Sequence, residues 1–326
     1  MDLSGREVDG VRRDVHATTG AAVLGTSRLG ASQRSASLLR PVLLGPVLLG
    51  SVLLGSALLG GCAVPVEATP AAVVVHAPVT VPKATAPAPA PDLTTLPVVD
   101  PLHVVAGLPG TDDLQPRRNA DASLGTWQTA VVARPTAAYD HPGGTAVGVL
   151  PTTTLTEPTT LPVLDERDGW LRVLVATRGA LPSEDRAQVN GRTAWVRAAD
   201  TTASGTDWSI HVDTAAQTIT VTNPDGTHQF PVKATGSPVT PTPAGLSFLL
   251  GVRWLEPGTT TPRVLPLSTQ SETIDHYDKP TGTAVTAIHT TTLRGTGEVS
   301  NGCVRVDDEV LDLVWQAPAG TVVTVG

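Results

Sequence analysis

Aromatic side chains make up only 3% of the 326 residues, and methionine occurs once. A chain so poor in large rings must build its core from aliphatic residues. With 29 prolines and 31 glycines, much of it is expected to be strand, turn and spacer. Cations are sparse as well: 22 Lys and Arg against 30 Asp and Glu give a net charge of −8. That balance argues against a nucleic-acid partner, which rewards clustered Lys and Arg. Cysteine is scarcer still, with Cys62 and Cys303 the only two. One cysteine in each half and scattered histidines lack the spacing of a zinc site. A Cys62–Cys303 disulfide would have to close a flexible spacer onto a folded domain, so it is set aside. The length allows two modest domains plus non-globular segments.

The first 61 residues read as a targeting segment and are excluded from fold reasoning. Arg6, Arg12, Arg13, Arg28, Arg34 and Arg40 precede an uncharged run from Pro41, a five-residue near-repeat of the form Pro-Val-Leu-Leu-Gly. The run is long enough for a transmembrane helix, but its prolines and regular glycines weaken that alternative. It ends in Leu59-Gly60-Gly61-Cys62, which resembles the lipobox of bacterial lipoproteins. The resemblance implies a leader over 1–61 and a diacylglycerol on Cys62. The mature chain would then be extracytoplasmic, anchored in the outer face of the cytoplasmic membrane and reaching the cell wall. Acidic residues near the start of this long leader suggest a start site further downstream. From Cys62 to residue 125 the chain is Ala, Pro, Val and Thr without a sustained period, and it reads as a linker. Some sixty such residues reach about 190 Å as polyproline helix or about 45 Å as a coil.

Residues 126–203 change pattern. "TAVVARP", "TAVGVLP", "TLPVLDERDGWLRVLV" and "GRTAWVRAAD" alternate apolar and polar positions, the mark of short half-buried strands. The last two resemble the closing strands of a bacterial SH3-like domain, a small β-barrel. Trp170 and Trp195 are then expected to fill the barrel, with a peptide or glycan groove as the alternative. The intervening loop "ATRGALPSEDRAQVNG" carries no motif.

A second domain is expected over 204–326. Ile210 and Val212, then Ile219 and Val221, alternate before Asn223-Pro224-Asp225-Gly226, a turn whose Asp-Gly supplies positive φ. "LSFLLGVRW", "TAVTAIH" and "GTVVTV" read as strands. Trp254 to Lys279 fits neither period and is expected as a lid. "DDEVLDLVWQA" reads as a helix, with Asp307, Asp308 and Glu309 at its positive end and Val310, Leu311 and Val314 inward. The fold class expected is mainly β: a small barrel, then a β-sandwich or barrel with one short helix after Cys303.

Chemistry concentrates in Ser300-Asn301-Gly302-Cys303-Val304-Arg305, with His289 fourteen positions before the sulfur. A nucleophilic thiol needs a base or a positive field to ionise it, and imidazole titrates in the right range. Gly302 lets backbone approach a substrate, so neighbouring amides are candidate oxyanion donors. "IHTT…GEVSNGCVRV" resembles the signature of the L,D-transpeptidase (YkuD-type) catalytic domain, and "TGSPVTPTPAG" is similar to a turn of that family. Papain-like and NlpC-type peptidases place Cys before His; here His289 comes first.

The resemblance implies Cys303 as nucleophile, His289 as base and the Thr290 carbonyl as its orienting acceptor. It implies substrate or oxyanion contacts from Ser300, Asn301, Gly302 and Arg305, and no metal or organic cofactor. Ser300 reads equally well as a turn residue, and Arg305 as a fork for a substrate carboxylate or as a structural salt bridge. Thr290 stands where the family often has glycine, and Asn301 where it often has histidine. The implied reaction takes peptidoglycan stem peptides, releases D-alanine from a tetrapeptide and forms 3→3 cross-links through a thioester. An L,D-carboxypeptidase and a catalytically silent wall-binding lipoprotein are the alternatives, and a monomer is expected.

Overall fold

Alternating valines, isoleucines and threonines make strands here, and the strand Thr218–Asn223 buries every second side chain. The computed structural model describes residues 90–255, 259–278, 280–291 and 295–326. The leader, Cys62 and the first part of the linker lie outside the described residues. Among the described residues no helix is long and apolar enough to cross a membrane.

The first half contains β1 (Trp127–Val132), β2 (Thr136–Tyr139), β3 (Ala146–Leu150), β4 (Thr153–Thr154), β5 (Glu157–Pro158), β6 (Thr160–Arg167), β7 (Trp170–Leu174), β8 (Thr193–Arg197) and β9 (Thr201–Thr206). Seven of them form one sheet in the order β3-β2-β8-β7-β6-β1-β9. The barrel expected for 126–203 is therefore not closed. Val98 bridges Val149 on the outer side of β3, so the strand that would have to meet β9 already has a neighbour. Trp195 is buried beside Ala137 and Tyr139. Trp170 meets Tyr139 edge-on at 5.0 Å between ring centroids. Trp195 thus packs as core, and Trp170 is half-buried against it.

The linker expectation fails over its last part. Val99, Val105 and Leu108 are buried in the same core as Val132, Val163 and Val173. Val104 also bridges Arg178. Three apolar residues at irregular spacing leave no periodic trace, because the surfaces they cover come from distant strands.

The second half contains β10 (Ser209–Asp213), β11 (Thr218–Asn223), β12 (Gly226–Pro231), β13 (Ala234–Gly236), β14 (Gly245–Phe248), β15 (Arg253–Trp254), β16 (Arg263–Gln270), β17 (Val285–His289), β18 (Gly297–Ser300), β19 (Val304–Arg305), α1 (Asp308–Val314) and β20 (Val322–Val325). Two sheets, β12-β11-β10-β20-β14 and β15-β16-β17-β19-β13-β18, face each other as a sandwich. Ile210, Val212, Ile219 and Val221 of the first meet Leu265, Leu267, Ile288 and Val304 of the second in one core. The Asn223–Gly226 turn joins β11 to β12 with Gly226 at φ 134°. Helix α1 begins after Asp307 and buries the expected inward stripe of Val310, Leu311 and Val314, but it ends at Val314, short of the Ala317 end of the segment read as helix. The Trp254–Lys279 segment is only partly loop: β16 runs through it as an interior strand. Pro266 and a register shift between Pro266 and Gln270 break the alternation that would have announced it.

The two halves share apolar surface, since Phe248 and Leu250 join the first half's core. Leu108 is 4% exposed, so Leu108→Ala should lower unfolding free energy by about 2–5 kcal/mol. Urea denaturation of the full chain reads this directly. A residue of a free spacer would leave the midpoint where it was.

Candidate active site

The site is built on a parallel strand pair. Ile288 of β17 stands opposite Val304 of β19, and His289 opposite Arg305. Side chains alternate along a strand, so Val285, Ala287 and His289 share one face while Ile288 enters the core. The same register puts Cys303 level with Ala287. Val285, Ala287, His289 and Cys303 all line one cavity of about 280 Å³. On the other flank, β16 contributes Val264, opposite His289, and Pro266, opposite Ala287. Ala287 matters by its size: a methyl group beside the sulfur leaves room for a ligand.

His289 is 9% exposed, and its Nδ1 lies 2.8 Å from the Thr290 carbonyl oxygen. A carbonyl only accepts, so Nδ1 carries the proton and Nε2 is left with its lone pair. Burial pushes the imidazole pKa below its ordinary 6.5. The Thr290 bond opposes that shift, and the Arg305 charge adds to it. Cys303 is half-buried. Burial raises its thiol pKa above 9.0, while the Ala287 backbone, the Tyr277 hydroxyl and the Arg305 charge pull it back. Both partners are therefore neutral at rest near neutral pH. Such a site suits a base that takes the thiol proton as the sulfur attacks, instead of a standing thiolate–imidazolium pair.

The other expected residues take different places. Gly302 is buried with φ 103°, in the left-handed region that glycine tolerates. A Cβ there would lie 3.2 Å from both the Pro241 carbonyl oxygen and the Thr286 methyl. The Ser300 hydroxyl accepts from the Gly302 amide at 3.1 Å and donates to the Cys303 carbonyl at 2.6 Å. Ser300 thus clamps the turn that carries Cys303, and the Gly302 N–H is already engaged. Asn301 is exposed. Among the described residues, Ser300, Asn301, Gly302 and Arg305 are not part of the cavity wall. Arg305 acts on His289 and Cys303 through its charge, and its buried Nε has no hydrogen-bond partner.

Sequence reasoning missed Tyr277, Arg253, Leu102 and Leu155, all of which line the cavity. The Tyr277 hydroxyl donates to the Val285 carbonyl, and Tyr277 lines the same cavity as Cys303, where its hydroxyl favours the ionised sulfur. Burial, the Cys303 sulfur and Asp278 together raise its pKa. Its rarity was a usable signal, since the chain has only two tyrosines. Leu102 and Leu155 had none, because they belong to the first half. Among the described residues, no cluster of three or more His, Cys, Asp or Glu is placed to hold a metal.

Residues 207–325 match the YkuD family, described as the L,D-transpeptidase catalytic domain. No curated protein gives a significant match. Similar solved structures include an L,D-transpeptidase from Mycobacterium smegmatis, with 14% identity, 52% of this chain and 100% of that one covered, and a TM-score of 0.31. The catalytic domain of the E. faecium L,D-transpeptidase shares 21% identity over 37% of this chain and 97% of its own, with a TM-score of 0.27. L,D-transpeptidase 3 from Mycobacterium tuberculosis shares 13% over 48% and 91%, with a TM-score of 0.32.

Two outcomes follow from the site's geometry and charge. Alkylation of Cys303 by iodoacetamide, read by peptide mass, should still be climbing as pH rises past 9.0, the ordinary thiol value. The sign is that burial favours the protonated thiol, so ionisation is delayed to higher pH. A plateau below that value would contradict the neutral resting pair. Gly302→Ala forces an L-residue to positive φ at a cost of about 1–2 kcal/mol. It should lower the melting temperature and slow the same alkylation, because the strain falls on the nucleophile's own turn.

Proposed function

We propose that this chain is a peptidoglycan L,D-transpeptidase acting through a Cys303 thioester. The observation that carries the reading is the common cavity of Cys303 and His289, with the unprotonated Nε2 of His289 available as base. The family match over 207–325 supports the reaction class. In the first half-reaction, Nε2 takes the thiol proton while the sulfur attacks the carbonyl at the L-centre of the stem's third residue. The tetrahedral adduct collapses, the C–N bond to D-alanine breaks, and imidazolium returns the proton to the departing amine. In the second, the acceptor amine gives a proton to His289 as its nitrogen attacks the thioester. The sulfur leaves, takes that proton back from the imidazolium, and a 3→3 amide remains.

The cavity wall fits a peptide stem. Leu102, Leu155, Leu255, Val264 and Val285 give it an apolar lining, and Arg253 is the one arginine or lysine on it among the described residues. A guanidinium there suits a stem carboxylate, the role that the sequence had offered to Arg305. Water in place of the amine would make the same site an L,D-carboxypeptidase. Cys62 remains the proposed lipid attachment point, with residues before Ala90 as the tether from membrane to wall. The protein is proposed to act as a monomer.

Incubation with a carbapenem should add one drug mass to the wild-type chain and none to Cys303→Ala, read as intact mass. With tetrapeptide-bearing wall fragments, muropeptide analysis should show 3→3 dimers and released D-alanine. Tripeptides alone would establish hydrolysis. An unmodified wild-type chain under both conditions would leave only the wall-binding alternative.

A further inference from the structure

The loop between β7 and β8 carried no recognisable motif, yet it holds the most heavily desolvated arginine of the first half. Arg178 is 2% exposed; burial lowers its pKa, and the Asp275 charge opposes that shift. Its Nη1 donates to the Asp275 carbonyl at 2.8 Å and its Nη2 to the Gly282 carbonyl at 3.0 Å. The Nε is buried without a partner. Burying a guanidinium is unfavourable unless its donors are used well. Here the two that are used go to both ends of one turn in the second half, and Tyr277 lies between those ends.

Neighbours reinforce the same attachment. The Ser183 amide donates to the Asp275 carboxylate at 3.0 Å. The Asn190 side chain donates to the Gln270 carbonyl at 2.8 Å and accepts from the Gln270 amide at 2.9 Å. The Gln270 side chain donates to the Pro101 carbonyl at 2.9 Å. Inside the turn, the Tyr277 and Asp278 amides both donate to the Thr283 carbonyl, at 3.1 and 3.0 Å. The turn is closed on itself and hung from the first half, with the phenol hydroxyl at the cavity wall.

We propose that Arg178 is a positioning residue for the thiol: it pins both ends of the 275–282 turn and so holds the Tyr277 hydroxyl against Cys303. The inference rests on the reading of Cys303 as nucleophile. A phenol has one proton. With a neutral thiol it donates to the Val285 carbonyl and offers its oxygen to the S–H. When the sulfur ionises, the O–H can turn to the anion and stabilise it. The catalytic constellation is then completed by the first half of the chain, not by residues 207–325 alone. Charged and titratable groups facing the sulfur are His289 from β17, Arg305 from β19, Tyr277 and Asp278 from the turn, and Arg253 across the cavity.

The test is the pH profile of Cys303 alkylation in the full chain, read by peptide mass with melting temperature as the folding control. Arg178→Gln and Tyr277→Phe should each slow alkylation near neutral pH by roughly tenfold, the loss of one hydrogen bond to a charged group, and shift the profile upward. The double variant should react no more slowly than Tyr277→Phe alone, because both changes remove the same contact. Arg178→Lys keeps the charge but reaches only one carbonyl, and should fall between wild type and Arg178→Gln. It carries the test if Arg178→Gln does not fold. Unchanged profiles in the folded variants, or effects that add in the double variant, would overturn the proposal. A wild-type chain with the expected profile but no carbapenem adduct would instead count against the transpeptidase reading.

Discussion

The parallel pairing of β17 with β19 is the constraint on which the site depends. With His289 opposite Arg305, Cys303 falls level with Ala287, and strand alternation turns imidazole and thiol toward the same cavity. A slip of one residue would send either His289 or Cys303 into the sandwich core with Ile288. Register is held by burial on the other face, where Ile288 and Val304 are both fully enclosed. The same apolar packing that stabilises the sandwich therefore sets the chemistry's geometry.

Burial then sets the charge state. Desolvation lowers the His289 pKa and raises that of Cys303, so each group resists ionising alone. The surrounding dipoles work mainly on the sulfur: the Ala287 backbone, the Tyr277 hydroxyl and the Arg305 charge all favour the anion. Arg305 disfavours an imidazolium, while the Thr290 carbonyl supports one. On the proposed reading, the arrangement keeps Cys303 protonated until a substrate carbonyl can accept its electron pair as the proton leaves.

Sequence and structure divide the work unevenly between the halves. The first half is an open sheet whose edge is taken by residues near Val98, and its core reaches Phe248 and Leu250. It also supplies Leu102 and Leu155 to the cavity. The expected division at residue 204 falls inside β9 and cuts through both a shared core and the cavity wall. Ser300 shows the complementary case within one module. The motif left it open between a substrate contact and a turn residue, and its hydroxyl is spent on the turn that carries Cys303.

Short-range order was legible in the residues. Alternation announced β10, β11, β17 and β20, Asp225-Gly226 announced the turn, and Val310, Leu311 and Val314 announced α1. Such signals relate a residue to partners two to four positions away, which any window contains. His289 and Cys303 were legible because their roles need particular side chains at a fixed offset within one strand pair. Tyr277, the burial of Val99, Val105 and Leu108, the open edge of the first sheet and the work of Arg178 were not. The Arg178 to Gly282 bond spans 104 positions, and its acceptor is a backbone carbonyl, which every residue has. Local propensity wrote the elements and the reacting pair into the chain; only packing across distant segments decided which loop stands over the sulfur, because that choice depends on shape and not on residue type.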